Sequence, residues 1–258
     1  MLLPSKSKYE IQISNFIQMR LHRFYITQEI VPGKQLTIDS AEFANQIRRV
    51  FRLKSGDKII IFNGNGFDYT VNIANFSDHD RIANDNRIIV DVDTSAPTRS
   101  NFIAQRKIYL YVSVIKKDNF EWVTQKATEL GVTDIIPVLA ERSEKKNLNI
   151  KRLEKIIVEA CEQSGRGDIP RLYSVVDLPR GLPSGSRSIA FHTEGKRFEP
   201  GSVPQNEDVS IFIGPEGGWS SEELDMFHNN NIQVLRLGNQ VLRTETAVIS
   251  ALSLLVFS

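Results

Sequence analysis

Two glycine-containing loops hold the residues best suited to bind a ligand. Gly214-Pro215-Glu216-Gly217-Gly218 follows the apolar stretch Val209–Ile213, and residues 237–247 follow a second apolar stretch. In the second loop Arg243 and Glu245 add a cation and a carboxylate, which need partners or solvent beside an apolar helix. Ligands of α/β proteins bind at such strand-to-helix junctions. The residues alone leave two interpretations open: a ligand site, or a tight corner without a ligand.

The familiar nucleotide and hydrolase motifs are missing. Gly64-Asn65-Gly66 lacks the third glycine of a dinucleotide-binding turn and reads as a hairpin, and residues 214–221 contain no P-loop lysine. Neither His-Glu-x-x-His nor Gly-x-Ser-x-Gly occurs, and the four histidines are scattered along the chain. We therefore expect no metal site and no hydrolase triad.

Composition indicates an ordinary globular protein. The 258 residues are 41% hydrophobic and 24% charged, with a net charge of +1. Residues 1–60 carry ten basic against five acidic side chains, which suits a polyanion partner and equally suits a solvated surface. The chain has no 18-residue apolar run and no signal-peptide core, so we expect no membrane partner. Cys161 is the single cysteine, which excludes an internal disulfide and fits the cytoplasm.

The first part of the chain has a β-type pattern. Residues 1–19 read as an N-terminal extension, 20–93 as a small β-rich domain and 94–100 as a polar linker. A single helix is predicted over residues 41–51, and Asn63-Gly64-Asn65-Gly66 is predicted to turn a hairpin. The predicted strands cover residues 23–26, 35–38, 57–62, 67–73 and 87–92.

The second part, residues 101–258, alternates strands with helices. This alternation predicts an α/β domain whose parallel sheet is covered by helices. Asp118-Asn119-Phe120-Glu121 suggests a capping box at one helix start, and Ser220 with Glu223 suggests another. The predicted strands cover residues 107–115, 132–139, 188–192, 209–213 and 232–237. The predicted helices cover residues 118–130, 150–163 and 221–229, with a last helix from Thr244.

The two glycine-containing loops resemble the signature loops of the ribosomal RNA small subunit methyltransferase E family, which belongs to the SPOUT class. The matching residues are Gly214-Pro215-Glu216-Gly217-Gly218 and Leu242-Arg243-Thr244-Glu245-Thr246-Ala247. Gln125–Gly131 and residues 159–166 are similar to other blocks of that family. Val50-Phe51-Arg52 resembles its PUA-like module, although a leucine is usual where Phe51 stands. The resemblance covers about residues 20–257.

The resemblance implies a fold and an activity. It implies a SPOUT methyltransferase domain with a deep trefoil knot, preceded by a small PUA-like β-barrel that binds RNA. It further implies a cytoplasmic homodimer that methylates uracil N3 of one uridine in 16S rRNA of the small ribosomal subunit, with S-adenosyl-L-methionine (SAM) as cofactor. Two alternatives remain open: a knotted methyltransferase acting on another rRNA or tRNA position, or a noncatalytic RNA-binding assembly factor.

The same resemblance implies roles for individual residues. Arg243 would stabilise charge on the substrate, and Glu245 would orient Arg243 or contact the cofactor. The proton-accepting base is not identified, and Glu216 is one candidate. The residues expected to contact RNA are Arg23, Arg49, Arg52, Lys126, Arg142 and Arg166. The residues expected to bind the cofactor are Phe191, His192, Thr193, Glu194, Ile213, Gly214, Pro215, Glu216, Gly217, Gly218, Leu237, Gly238, Leu242, Thr244, Thr246 and Ala247.

Overall fold

Two compact units make up the chain in a computed structural model that describes residues 21–76, 86–143, 147–178 and 187–257. The first unit contains the chain up to Phe62 together with Tyr69–Pro97. The second contains Asn63–Asp68 and the chain from Thr98 onward. The tip of the hairpin predicted at residues 63–66 therefore packs with the second unit.

The first unit is built around a mostly antiparallel sheet. Its strands are β1 (Arg23–Tyr25), β2 (Gln35–Asp39), β3 (Lys58–Phe62), β4 (Phe67–Phe76) and β5 (Arg87–Val92), although the first two residues of β4 belong to the second unit. The strand order is β1-β3-β4-β5-β2, and only the β1–β3 pair among these is parallel. Alternate residues of β3 and β5, such as Ile59, Ile61, Ile88 and Val90, are buried in one apolar core, as the period of two predicts.

The helix predicted over residues 41–51 is divided into two kinds of helix. α1 (Ala41–Asn45) begins where Ser40 Oγ accepts a hydrogen bond from Phe43 N, and a π-helix (Gln46–Val50) continues it. The wider turn is closed by a hydrogen bond of 2.9 Å from Phe51 N to Gln46 O. The prediction of one regular helix is therefore wrong in its second half.

The second unit is an α/β domain with a parallel sheet, as predicted. Its strands are β6 (Thr98–Arg99), β7 (Ile108–Ser113), β8 (Asp134–Leu139), β9 (Arg171–Leu172), β10 (Val176–Asp177), β11 (Arg187–Arg197), β12 (Val209–Ile213) and β13 (Gln233–Arg236). The main sheet has the order β10-β8-β7-β12-β11-β13 with β9 beside β8, and all its described pairs are parallel. The order brings the carboxyl ends of β11, β12 and β13 together.

The helices of the second unit are α2 (Lys117–Glu129), α3 (Ile150–Ser164), α4 (Ser221–Asn229) and α5 (Thr244–Val256). α2 begins at Lys117 with Lys116 as its N-cap and no side-chain cap, so the capping box predicted for residues 118–121 is wrong. Asp118 instead lies inside the first turn, where its charge is favourable to the helix dipole. The capping box of Ser220 and Glu223 at α4 is confirmed.

Candidate active site

A cavity of about 250 Å³ lies at the carboxyl ends of β11, β12 and β13. Three chain segments form its wall: the part of β11 after Ala190, the loop between β12 and α4, and the loop between β13 and α5. Its lining residues are Phe191, His192, Thr193, Ile213, Gly214, Pro215, Glu216, Gly217, Gly218, Trp219, Arg236, Leu237, Gly238, Gln240, Val241, Leu242, Thr244 and Ala247. The two loops singled out by their glycines thus meet as walls of one cavity.

Most of the residues predicted to bind a cofactor line this cavity, but two do not. Glu194 and Thr246 are exposed and are not among the lining residues. Four lining residues were not predicted: Trp219, Arg236, Gln240 and Val241. Trp219 follows the glycine run directly, so its position in the sequence was a usable signal, whereas Arg236 ends a strand and resembles a solvated charge.

The buried Trp219 side chain holds the loop between β12 and α4 in place. Its side chain is 2% exposed, and its Nε1 donates a hydrogen bond of 3.2 Å to Phe191 O. A Cβ added to Gly214 would meet the Trp219 ring at 3.1 Å, so a side chain there would displace the indole. Gly218 has φ +71, a conformation that glycine adopts at little cost. The loop geometry therefore depends on these glycines and on one buried ring.

Thr244 joins the two signature loops. Its side chain is 3% exposed, and Oγ1 donates a hydrogen bond of 2.9 Å to Gly214 O. The bond ties the first residue of α5 to the end of β12, across 30 positions of sequence.

The guanidinium of Arg142 contacts the first signature loop. Its Nη1 donates a hydrogen bond of 2.9 Å to Gly217 O and one of 3.4 Å to Trp219 O. A Cβ on Gly217 would meet the Arg142 side chain at 3.2 Å. This side chain was predicted to contact RNA, but in the structure its guanidinium supports a wall of the cavity.

The end of β11 pairs twice with the same residue of β13. Phe191 is paired with Leu235 in the sheet, and after a break in register Lys196 is paired with the same residue. The four residues between them bulge out, and His192 and Thr193 of this bulge line the cavity. Gly195, the last residue of the bulge, approaches β13 closely. A Cβ added to Gly195 would lie 2.6 Å from backbone atoms of Leu235.

Arg243 lies at the rim of the cavity. It is exposed and is the N-cap of α5, and the residues on both sides of it, Leu242 and Thr244, line the cavity. Glu245 is half-buried, and its Oε2 is buried without a hydrogen-bond partner in the described part of the chain. No ion pair between Arg243 and Glu245 occurs in this conformation of the described residues, so the predicted orienting contact stays a prediction.

Charge inside the cavity is provided by few groups. Among the lining residues Arg236 is the only arginine or lysine and Glu216 the only carboxylate. The Nε of Arg236 is buried, and within the described residues it has no hydrogen-bond partner. A buried guanidinium donor without a partner favours an anionic group of a ligand in contact with it.

Glu222, at the start of α4, is a poor candidate for the proton-accepting base. Hydrogen bonding by its own backbone amide, followed by a hydrogen bond from Ser221, lowers the pKa of this exposed carboxyl. A base with a lowered pKa accepts a proton less readily.

Arg166 is not available to RNA, and the prediction for it is wrong. Its side chain is 1% exposed, and its Nη2 lies 2.7 Å from Asp168 Oδ2. Its Nη1 donates to Thr128 O at 3.0 Å, and its guanidinium lies over the Phe102 ring. These contacts hold the chain after α3 and use the whole guanidinium.

The other predicted RNA contacts lie on separate elements of the two units. Lys126 lies on α2 and is paired with Glu129 at 2.8 Å. The Arg23 guanidinium lies 3.5 Å from the Phe62 ring centre, on the face of β1 opposite to the buried Phe24. Arg49 and Arg52 are exposed beside the end of the π-helix.

The described ranges also bear on metal binding and on membrane insertion. These residues include no group of three or more His, Cys, Asp or Glu side chains placed to hold a metal ion. A membrane-crossing helix is not found in the same part of the chain, since none of its helices is both long and apolar enough.

Comparison with known proteins agrees with this geometry. A family model described as an RNA methyltransferase domain matches residues 103–256, and one described as an RNA methyltransferase PUA domain matches residues 47–79. Ribosomal RNA small subunit methyltransferase E of Bacillus subtilis is 29% identical over 253 residues, covering 90% of this chain and 95% of the relative. The protein of the same name from Aquifex aeolicus is 30% identical over 175 residues, covering 66% of this chain and 73% of the relative.

A solved structure is also similar over nearly the whole chain. The putative methyltransferase of Legionella pneumophila, in complex with the bound cofactor SAM, is 33% identical with a TM-score of 0.79. The match covers 92% of this chain and 97% of that protein.

Proposed function

Because the chain belongs to the ribosomal RNA small subunit methyltransferase E family of RNA methyltransferases, we propose that it methylates N3 of one uracil in 16S rRNA with SAM as cofactor. The observation that carries this proposal is the cavity between residues 191–193, 213–219 and 236–247. The family signature residues lie on its walls, and the similar Legionella protein was solved with SAM. The rRNA substrate implies action in the cytoplasm.

The residues of the cavity fit SAM in size and charge. Gly214, Gly217 and Gly238 line the cavity, so that a flat adenosine group can approach backbone there. Arg236 offers donors for the carboxylate at the amino-acid end of SAM, and Glu216 offers an acceptor for its ammonium group. When bound, SAM supplies a methyl group on a sulfonium, which transfers to a nucleophile and leaves a neutral thioether.

The chain itself would position the uracil and stabilise its charge. N3 of uracil becomes a nucleophile when its proton leaves, and the negative charge then spreads over the neighbouring carbonyl oxygens. Arg243 at the cavity rim is placed to donate hydrogen bonds to such an oxygen. Glu245, whose buried Oε2 has no partner among the described residues, would orient Arg243 or contact the cofactor. Alignment of the two reactants within one cavity would contribute further.

The fold proposal goes beyond the parallel sheet. We infer a trefoil knot at the cavity, supported by the meeting of the end of β11 with the loops after β12 and β13 in one cavity wall and by the hydrogen bond from Thr244 to Gly214. Residues 20–93 are proposed as a PUA-like β-barrel that binds RNA, and residues 101–258 as the SPOUT methyltransferase domain. Residues 94–100 would link them, and residues 1–19 would be an extension.

A homodimer is also proposed. Helix α5 is apolar on more than its buried side: Val248, Ala251 and Leu252 are buried, while Ile249 and Val256 remain partly exposed. Such a helix usually has a second apolar surface to cover. Val241, which is 82% exposed at the cavity, and Phe257, which is 76% exposed at the helix end, would be covered in the same contact.

Methyl transfer to purified small subunits tests the function directly. The protein is incubated with labelled SAM and small ribosomal subunits or free 16S rRNA from a strain that lacks this protein, and the modified nucleoside is identified by mass spectrometry. We expect N3-methyluridine at one position. Label in a different nucleoside or in tRNA would support the alternative substrate, and a folded protein that binds no SAM would leave only the noncatalytic assembly factor.

Arg236→Gln is expected to weaken SAM binding by about 10- to 100-fold, because charge-assisted hydrogen bonds to the carboxylate are lost. Calorimetry should show this loss for SAM and no loss for 5′-methylthioadenosine, which lacks the amino-acid portion. Arg197→Gln is the matched control, since Arg197 is exposed and paired with Arg236 in the sheet but does not line the cavity. Equal losses for both ligands would contradict contact with the carboxylate.

Arg142→Ala is expected to weaken SAM binding by about fivefold, since an exposed guanidinium that holds Gly217 O contributes about 1 kcal/mol. The RNA affinity of the same variant should change little. Arg152→Ala is the control, because this exposed arginine contacts Glu121 on α2 and not the loop. If RNA binding falls while SAM binding is unchanged, the earlier prediction of an RNA contact for Arg142 is correct instead.

A further inference from the structure

An exposed pair of aromatic rings lies on the first unit. The rings of His22 and Phe51 have centroids 4.2 Å apart and are tilted by 44°. Phe51 is 38% exposed, and it packs edge-on against Phe24, whose side chain is 1% exposed. The buried Phe24 ring thus anchors the exposed Phe51 ring from within the core.

The backbone on both sides of Phe51 has an unusual conformation. Ile47 is fully buried within the π-helix, whose wider turn leaves Val50 60% exposed. Arg52 then has φ +54, a left-handed conformation that is uncommon for a residue with a side chain. The bond from Leu53 N to Ile47 O, 2.9 Å long, holds the turn in place. π-Helices and left-handed non-glycine residues concentrate at functional sites, where the surrounding structure maintains them.

Unneutralised positive charge surrounds the rings. Arg49, Arg52 and Lys54 are all exposed and lie within three residues of Phe51 in the sequence. Within the described ranges none of them forms an ion pair. The nearest acidic residue along the chain, Asp57, uses Oδ2 to accept a hydrogen bond from Lys54 N. The surroundings of the ring pair are therefore basic on balance.

We propose that Phe51 and His22 form a stacking platform for one unpaired RNA base, with Arg49 and Arg52 contacting the flanking phosphates. Aromatic faces beside cationic side chains are the usual means of binding single-stranded nucleic acid. The platform exposes few apolar side chains. Their apolar area is far smaller than the core of a stable protein–protein interface. The platform deepens the proposed function. It rests on that function because it requires RNA to be the partner.

Fluorescence anisotropy with two labelled RNA probes tests the platform. One is an unstructured RNA of about ten nucleotides, and the other has the same backbone with abasic riboses. Phe51→Leu keeps an apolar side chain but removes the π face, and we expect it to bind the intact RNA roughly 5- to 100-fold more weakly. Phe51→Tyr should bind like the wild type. Phe67→Leu is the matched control, because Phe67 is 41% exposed on the second unit.

The abasic probe separates stacking from phosphate contacts. For this probe Phe51→Leu and the wild type should have equal affinities, since no base is present to stack. Arg49→Ala should weaken binding of both probes and reduce the slope of log affinity against log salt by about one. Circular dichroism confirms that each variant is folded.

Two results would overturn the platform: an unchanged affinity of Phe51→Leu for intact RNA, or an equal loss for both probes. The proposed function fails on a separate observation, namely the absence of methyl transfer by the wild-type protein. A wild type that binds RNA through the platform but transfers no methyl group would retain this inference and reject the proposed activity.

Discussion

Arg243→Ala is expected to reduce methyl transfer by about 10²- to 10³-fold while leaving SAM affinity nearly unchanged. This is the usual effect of removing one donor that stabilises charge in the transition state. Arg243 projects from the cavity rim, and its backbone alone caps α5, with its carbonyl accepting a hydrogen bond of 2.9 Å from Ala247 N. Alanine keeps this backbone contact, so the fold should be retained.

Single-turnover transfer and calorimetry measure the two quantities separately. Arg243→Lys provides a graded comparison, because lysine keeps the charge but lacks the planar pair of donors, and it should recover only part of the rate. A loss of SAM affinity as large as the loss of rate would mean that Arg243 supports the cavity instead. Unchanged turnover in Arg243→Ala would remove this residue from the catalytic site.

Local sequence signals predicted most element positions correctly because they act locally. Ser220 and Glu223 form the predicted capping box, and Gly131, with φ +91, ends α2. The alternating strands and helices of the second part gave the parallel sheet without any long-range information. Such signals depend on neighbours within about one helical turn, so they survive in almost any tertiary context.

The π-helix was not predictable by the same means. Residues 41–51 have the composition of an ordinary helix, and the change at Gln46 depends on tertiary packing. Ile47 is fully buried, while Phe51 packs against Phe24 in β1. A short helix must widen by one residue to satisfy both contacts. Neither contact is encoded in the local spacing.

Arg166 and Trp219 show why burial is the weakest part of a sequence-based prediction of a site. Arg166 is a charged residue in a family-like block, which favoured an RNA contact. Asp168, two residues later, was the available signal of an internal pair. Trp219 reads as a core residue, yet its indole lines the cavity and donates a hydrogen bond to Phe191 O. That bond joins residues 28 positions apart.

Gly195→Ala is expected to destabilise the second unit by at least about 3 kcal/mol, which corresponds to a fall in Tm of roughly 10 °C. The added Cβ would lie 2.6 Å from backbone atoms of Leu235. A flexible side chain could move away, but a strand backbone paired on both sides of the bulge cannot. Leu235 is paired with Phe191 and again with Lys196, so any shift breaks one of the two pairings.

Gly195→Ala should also weaken SAM binding. The loss of affinity should exceed the loss that the lower stability of the second unit alone would cause. The strain is relieved most easily by displacing the bulge, and this carries His192 and Thr193 out of the cavity wall. For the stability measurement alone Gly238→Ala is the control, because its Cβ would meet only the flexible end of Gln240, at 3.1 Å. Thermal unfolding should leave Gly238→Ala near the wild type. A wild-type Tm and wild-type SAM affinity for Gly195→Ala would show that the bulge can open and that the close approach of Gly195 to Leu235 is not required by the fold.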